Sequence, residues 1–326
     1  MIGSRLIIPI RQCSVQLGVA FISGLSLLIA AFNLWLEKRR LSKTVRNSFT
    51  IEPSCLLPAK ESKITIVIAT KNNARSIGQT MRNFENATVD KSLVEIVVID
   101  VGSSDRTIDV AKASSGSIPV IFLKKVDDGK GRGSAINQGC TIASGNILLI
   151  LRSDCLVPPR YDEVIRREFN DSKILFASFK LSTEKKASVS KSEPAGTWIL
   201  THYFNFRSSF LWFPSAIQGL ILSSQTFKSH QFPDHVIMDD VALCLNIRST
   251  CLLHNLKFKL LSLPISLSSN RWDEAGALTW ILLDTIALFA FINLHLCPKS
   301  VYYLCHEFLP QLREKYVNKN MSFERR

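Results

Sequence analysis

The chain contains no Cys-x-x-Cys pair, and its eight cysteines fall at irregular intervals, several of them inside apolar runs. That excludes a zinc ribbon and a secreted disulfide framework, and reads as reduced, mostly buried thiols. Between Ala69 and Ala74, where a first strand gives way to a helix, there is no glycine, which excludes a dinucleotide fingerprint. The stretch Gly129-Lys130-Gly131-Arg132-Gly133 lacks the Lys-Ser/Thr ending of a Walker loop. Acidic residues are short, 27 against 40 basic, for a net charge of +13. The excess gathers beside an apolar run rather than among the aromatics, which excludes a nucleic-acid-binding module. No tandem repeat is present. Hydrophobic residues make up 46% of the 326, and the mean hydropathy is +0.14. Such a chain is neither disordered nor a coiled coil, and its length suits one large α/β domain with appendages.

The appendages come first. Between Arg11 and Glu37 lie 25 residues without a charge, more than the about 20 needed to cross a bilayer core. Residues 15–36 predict a transmembrane helix behind a short tail, 1–14. Trp35 stands where an aromatic anchor belongs, and Glu37-Lys38-Arg39-Arg40 follows it. A cleaved signal peptide would have a shorter apolar region and a small-residue cleavage site. Residues 1–63 hold nine Lys/Arg against three Asp/Glu, most of them after the run. The positive-inside rule therefore places the amino terminus outside and the body in the cytosol, on a single-pass anchor. Residues 37–62, with Pro53 and Pro58, read as a basic linker. At the other end, residues 273–326 read as an apolar helix and a basic tail. Asp284 and His295 interrupt the apolar stretch from Ala277 to Leu296, so it is expected to lie in the membrane interface or to pack on the body.

Between the appendages an α/β rhythm runs. Short β-branched stretches at Ile64–Ala69, Val94–Ile99, Val120–Leu123 and Ile147–Leu151 alternate with helical patterns at 74–85, 105–113 and 133–143. Continuously apolar strands alternating with helices predict a parallel sheet covered on both faces, with ligands at the carboxyl ends of its strands. Asp100 ends the second strand before Gly102-Ser103-Ser104-Asp105, which suits a nucleoside and equally suits plain helix capping. Asp154 follows the fourth strand, where a carboxylate can hold a divalent ion or simply make a turn. Lys130 and Arg132 could meet phosphate oxygens. Asp239-Asp240 opens a helical run whose dipole favours carboxylates there, and one of the two could serve as a general base. Trp198 to Phe213 carries seven aromatic residues, a pattern of core packing or of a face toward an amphipathic acceptor.

In this order and spacing these segments resemble the family 2 glycosyltransferases of the GT-A fold. The subgroup they are most similar to is transferase 2, radical-SAM/selenodomain-associated. The likeness runs from about Lys63 to about Glu307 and includes Ile99-Asp100, Gly131-Arg132 with Asn137 and Gly139, Asp154 with Pro158-Pro159, and Asn205-x-Arg207. It continues through Gln218-Gly219, Met238-Asp239-Asp240-Val241 and Ser269-x-Arg271-Trp272. The resemblance implies an α/β GT-A domain over 63–272 with a mostly parallel sheet flanked by helices. It further implies an inverting glycosyltransferase, moving a sugar from a UDP- or GDP-linked donor to a lipid or saccharide acceptor. Asp240 would be the catalytic base, supported by Asp239. Asp100, Ser103, Asp105, Lys130, Arg132 and Asn137 would hold the nucleotide sugar, and Asp154 would bind Mg²⁺ or Mn²⁺. Gln218, Arg207, Arg271 and Trp272 would shape the acceptor side. Asp100, Asp154 and Asp240 are thus expected to meet at one rim.

The chain departs from the family pattern in three places. Arg152-Ser153-Asp154 replaces His-Ala-Asp or Asp-x-Asp, Ala216-Ile217-Gln218 replaces Gly-Asp-Gln, and Ala69 to Asn73 replaces a Pro-Ala-x-Asn-Glu turn. Arg152 is a candidate to neutralise phosphate charge in the ion's place. The alternative reading is a catalytically degenerate GT-A protein that binds a nucleotide sugar or a membrane partner.

Overall fold

The computed structural model describes residues 61–124, 131–182, 197–234, 238–267, 277–294, 296–297 and 300–301. The expected transmembrane helix at 15–36 and nearly all of the linker lie outside them. Among the described residues no helix is long and apolar enough to cross a membrane.

Four strands fall where the β-branched runs predict them: β1 (Ile64–Thr70), β2 (Val94–Asp100), β3 (Val120–Lys124) and β4 (Ile147–Arg152). They pair in parallel in the order β3-β2-β1-β4. Their connections are helices α1 (Ala74–Ala87), α2 (Thr107–Ala113) and α3 (Gly131–Ile142). Strand side chains alternate between faces, and each face is apolar. Ile64, Ile66 and Ile68 pack with Ile77, Met81 and Phe84 of α1. Val67, Leu148 and Ile150 pack with Ala135 and Ile136 of α3 on the other side. The buried residues of α1, among them Ile77, Thr80, Met81, Phe84 and Ala87, recur at three- and four-residue spacing, which is what makes it a one-faced helix.

Beyond β4 the architecture differs from the expected mostly parallel sheet. The strands β5 (Cys155–Leu156), β6 (Ile174–Leu181), β7 (Leu220–Ser223) and β8 (Lys257–Leu267) extend it to the order β3-β2-β1-β4-β7-β6-β8-β5. The β4/β7, β6/β7 and β5/β8 pairs are antiparallel, and only β6/β8 is parallel. The sheet is therefore mixed. The reason is connectivity: among the described residues no crossover of the first half's kind leads into β7. Instead α5 (Thr197–Phe206), a π-helical turn (Arg207–Leu211) and a 3₁₀ turn (Ala216–Gln218) deliver the chain to β7 from the opposite end. In β8, Pro264 enters where the ladder to β6 shifts register between Phe179 and Lys180, a place where a missing N–H is tolerated.

The remaining described helices are α4 (Tyr161–Glu168), α6 (Ser224–Ser229), α7 (Asp239–His254) and α8 (Ala277–Ile292). The late apolar segment forms α8 and packs on the body, against α5. Its one acidic residue, Asp284, turns inward to Arg207, with Nη1 at 2.8 and 2.7 Å from the two carboxylate oxygens. Tyr203 donates to the same carboxylate at 2.7 Å. The five described cysteines form no disulfide with one another, and four of them are buried. At the amino-terminal end of the sheet, Glu95 is held by Lys63 at 2.6 Å, by the Thr65 hydroxyl and by the Ser144 amide and hydroxyl. Burial raises this carboxyl, but those partners outweigh it and lower its pKa from the ordinary 4.5 to about 2.

Candidate active site

The carboxyl ends of β1, β2 and β4 form the rim. Thr70 pairs with Asp100, and Ala69 pairs with Arg152 on the other side of β1. Two strand spacings, about 10 Å, therefore separate Asp100 from Arg152. The turn after β1 has no glycine, and Asn72 takes the left-handed conformation instead, with φ 49°. Its side chain accepts from the Ser104 amide at 2.8 Å, and its own amide donates to the Ser103 hydroxyl at 2.9 Å. Asn73 reaches across to the Ser153 hydroxyl at 2.7 Å. Two asparagines thus lace the β1, β2 and β4 loops together, asparagine being among the few residues other than glycine that enter this region readily.

On one flank Asp100, Ser103 and Asp105 line a cleft of about 350 Å³, together with Lys112, Phe122 and Lys124. Asp100 is nearly buried and accepts from the Ser103 amide at 3.1 Å. Asp105 is committed to capping: it accepts from the Thr107 amide at 3.0 Å and hydroxyl, and from the Ala74 amide at 3.1 Å. The Thr107 hydroxyl, chiefly, holds this exposed carboxyl below its ordinary value. Sequence reasoning missed Thr70, which stands beside Asp100. It is 3% exposed, and its hydroxyl has no hydrogen-bond partner among the described residues. The signal was its place at the strand's end, one residue past the apolar run.

On the other flank a narrower cleft is lined by Arg132, Asp240, Ser215, Ala216, Phe232 and Cys244. Arg132 opens α3 and reaches Asp239 at 3.2 Å. Gly133 lets that helix approach: a Cβ there would stand 2.8 Å from Phe232 Cβ and 3.3 Å from Asp239 Oδ2. Asn137 does not face this cleft but clasps the chain at Phe232, donating to its carbonyl at 2.8 Å and accepting from its amide at 3.0 Å. The two adjacent aspartates have different surroundings. Asp239 is buried, and burial raises its carboxyl pKa, with Asp240 adding to the rise and Arg132 opposing it. Asp240 is half-buried; it accepts from the Ala216 amide at 3.1 Å and the Val241 amide at 2.9 Å. Both stand in the first turn of α7, whose dipole stabilises negative charge.

Arg207 and Gln218, expected on the acceptor side, lie in the interior. Arg207 is 1% exposed and gives its Nε to the Phe213 carbonyl at 2.9 Å and its Nη1 to Asp284. Gln218 is fully buried; its Oε1 accepts from the Ser208 hydroxyl at 2.7 Å and the Ser215 amide at 3.1 Å. Both therefore act through the 213–218 segment, which presents the Ala216 amide to Asp240. Lys130, Arg271 and Trp272 lie outside the described residues.

Asp154 follows β4 and is 2% exposed. Arg152 grips it with both prongs, Nε to Oδ1 at 3.0 Å and Nη2 to Oδ2 at 3.2 Å. Burial disfavours the guanidinium's charge, but Asp154 outweighs it, so the Arg152 pKa is raised; Asp240 contributes to the same rise. Among the described residues no three carboxylate, histidine or cysteine side chains gather as a metal set. A hard divalent ion prefers several oxygen ligands, and here the one carboxylate in place already carries a cation. The described residues around Asp154 therefore do not fit Mg²⁺ or Mn²⁺. Asp100, Asp154 and Asp240 thus belong to one edge of the sheet, but Asp100 and Asp240 line different clefts.

Comparison with known proteins bears on this arrangement. Residues 65–222 match the model of the family described as glycosyl transferase family 2. A probable glycosyltransferase, YdaM of Bacillus subtilis, is 30% identical over 95 residues, 28% of this chain and 23% of the relative. A dolichol-phosphate mannosyltransferase of Pyrococcus furiosus is 31% identical over 97 residues, 30% of this chain and 27% of the relative. The chain thus spans about a quarter of the length of these curated relatives. Among solved structures, the mannosyltransferase PcManGT from Pyrobaculum calidifontis, in complex with GDP-Man and Mn²⁺, superposes with a TM-score of 0.56 at 14% identity. That match covers 87% of this chain and 78% of the other. The TarS 1-349 structure of S. aureus in complex with UDP gives 0.50 at 16%, covering 76% and 70%. Residues 65–222 are thus similar to the glycosyl transferase family 2 model, and the chain shares the mixed α/β fold of the mannosyltransferase structure.

Proposed function

We propose that the chain is an inverting glycosyltransferase that moves a sugar from a UDP- or GDP-linked donor to a lipid or saccharide acceptor. The observation that carries this reading is the placement of Asp240. It is half-exposed, fixed by the Ala216 amide and shares a cleft with Arg132. A carboxylate so held, in the first turn of α7, is suited to take a proton from an acceptor hydroxyl. In the reaction the acceptor oxygen bonds C1 of the sugar as the C1–O bond to the diphosphate breaks with its electron pair. The acceptor's proton passes to Asp240. Asp239, locked to Arg132, positions that arginine rather than reacting. Asp100, Ser103 and Thr70 belong to the nucleoside side, where Phe122 and Lys112 complete the cleft wall.

An amphipathic acceptor is supported by the exposed face of α5 and the following turn. Trp198, Phe206 and Phe210 are exposed there at four-residue multiples, and the rings of the last two stack 5.4 Å apart. Exposed aromatic patches of this kind mark contact with apolar partners. The uncharged run at 15–36 and its basic flank support a membrane anchor with the body in the cytosol. The subgroup likeness rests on the order of short motifs alone.

The test is a panel of nucleotide sugars offered to the purified chain, with release of nucleoside diphosphate as the readout. One donor should be hydrolysed slowly by the wild type and not by Asp240→Asn. Equal background release from both supports the alternative, a degenerate transferase, whose motivation is the loss of two motif carboxylates at positions 152 and 217.

A further inference from the structure

The reaction leaves negative charge on the departing diphosphate, and something cationic must meet it. In this chain that charge is already built in. Arg152 occupies Asp154 from one side, so a divalent ion would have to displace a bidentate guanidinium or bind beside a like charge. Arg132 does the same at Asp239. Each pair leaves its arginine partly open to solvent while its aspartate is nearly covered. The Nη1 edge of Arg152 is turned away from the Nε–Nη2 edge that Asp154 uses. An arginine fork fits phosphate oxygens as well as it fits a carboxylate, and it needs no ion between.

Resting on the glycosyltransferase reading above, we propose that Arg152, together with Arg132, holds the donor diphosphate in place of a divalent metal, so that donor binding by this chain is metal-independent. Asp154 is then a positioning residue: it keeps Arg152 extended along the rim rather than ligating an ion. The charge that develops as the C1–O bond breaks falls on phosphate oxygens between two fixed guanidinium groups, and no ion has to enter or leave with the nucleotide. Arg152 is the position at which the family pattern has a potential ligand. Exchanging a metal-ligating side chain for a guanidinium there turns a site that recruits a cation into one that carries it.

Titration calorimetry of the 326-residue chain with UDP and with GDP, in EDTA and in Mn²⁺, tests the proposal. The wild type should bind one of them with an affinity that changes less than about threefold between the two conditions. Arg152→Gln should weaken binding at least about tenfold in both, as loss of a charge-assisted fork does. Arg152→Asp should lose binding in EDTA and regain it in Mn²⁺. Mn²⁺ alone, followed by electron paramagnetic resonance, should be bound by Arg152→Asp and not by the wild type. Thermal unfolding of each variant reports whether it folds, and the wild-type comparison needs no variant. An affinity that collapses in EDTA, or Arg152→Gln binding like the wild type, overturns the proposal while leaving the transferase reading intact. Binding of neither nucleotide in either condition overturns both.

Discussion

The sheet's rim and the seat of α8 are built from the same pair of residues used in opposite senses. At the rim, Arg152 and Arg132 have side chains 29% and 26% exposed, over aspartates at 3% and 9%. Beneath α8, Arg207 is the buried member at 2%, and Asp284 is at 19%. The orientation decides the use. A buried aspartate holding an outer arginine presents a cation to whatever enters the cleft. A buried arginine answered by an outer aspartate spends its charge inside the protein, fastening an apolar helix and the Phe213 carbonyl. Ion-pair chemistry alone does not distinguish a site from a clamp; the side that faces water does.

The contrast can be broken by mutation. The largest effect is expected at Asp240: Asp240→Asn should lower transfer about 10²–10⁴-fold, the usual worth of a general base, with donor affinity nearly unchanged. Parallel losses of rate and donor affinity would mean that Asp240 binds rather than reacts. Asp284→Asn leaves Arg207 buried without its counter-charge and should cost about 3–5 kcal/mol in urea unfolding. Nucleotide affinity of the folded fraction should stay the same, and a selective loss of that affinity would erase the distinction between clamp and site.

Glu95, at the sheet's far end, sharpens the comparison through pH. Its folded-state pKa is about 2 against an ordinary 4.5. A lowered carboxyl pKa contributes stability that is fully present above 4.5 and is lost as pH falls toward 2, about 3 kcal/mol in all. Glu95→Gln should flatten the stability profile in that window, and an unchanged acid limb would show that Lys63 and Ser144 do not hold the charge. The smallest effect is expected at Thr70. Because its hydroxyl has no partner among the described residues, Thr70→Val should leave the unfolding midpoint unchanged or slightly raised. Donor affinity should fall about 3- to 10-fold, the worth of one hydrogen bond. Unaltered affinity would remove Thr70 from the site.

The first half of the fold was legible because its strands are largely apolar and its helices one-faced, so each segment declares its partner surfaces. The placement of Asp100 and Asp154 at strand ends and of Arg132 and Asp240 at helix starts was legible, since the apolar runs and helical patterns mark those boundaries. The second half was not. Its strands β6 and β8 alternate or mix polar with apolar residues, and the direction of β7 depends on where the π and 3₁₀ turns release the chain. Arg207 and Gln218 look in sequence like polar residues awaiting a ligand. Only packing shows that Ser208, Ser215, Phe213 and Asp284 already satisfy them. Thr70 was missed for the converse reason, since a hydroxyl left without a partner is invisible until its neighbours are in place.

The sequence by itself determined the α/β order, the parallel character of the first four strands and the identity of the charged residues at their ends, because local periodicity and the alternation of strands with helices specify these without long-range information. The tertiary structure decided which aspartate faces the cleft, which arginine is spent inside and that Asp154 has a guanidinium rather than an open coordination sphere. Those outcomes depend on how far each charge stands from water and from its counter-charge, and distance between segments remote in sequence exists only once the chain has packed.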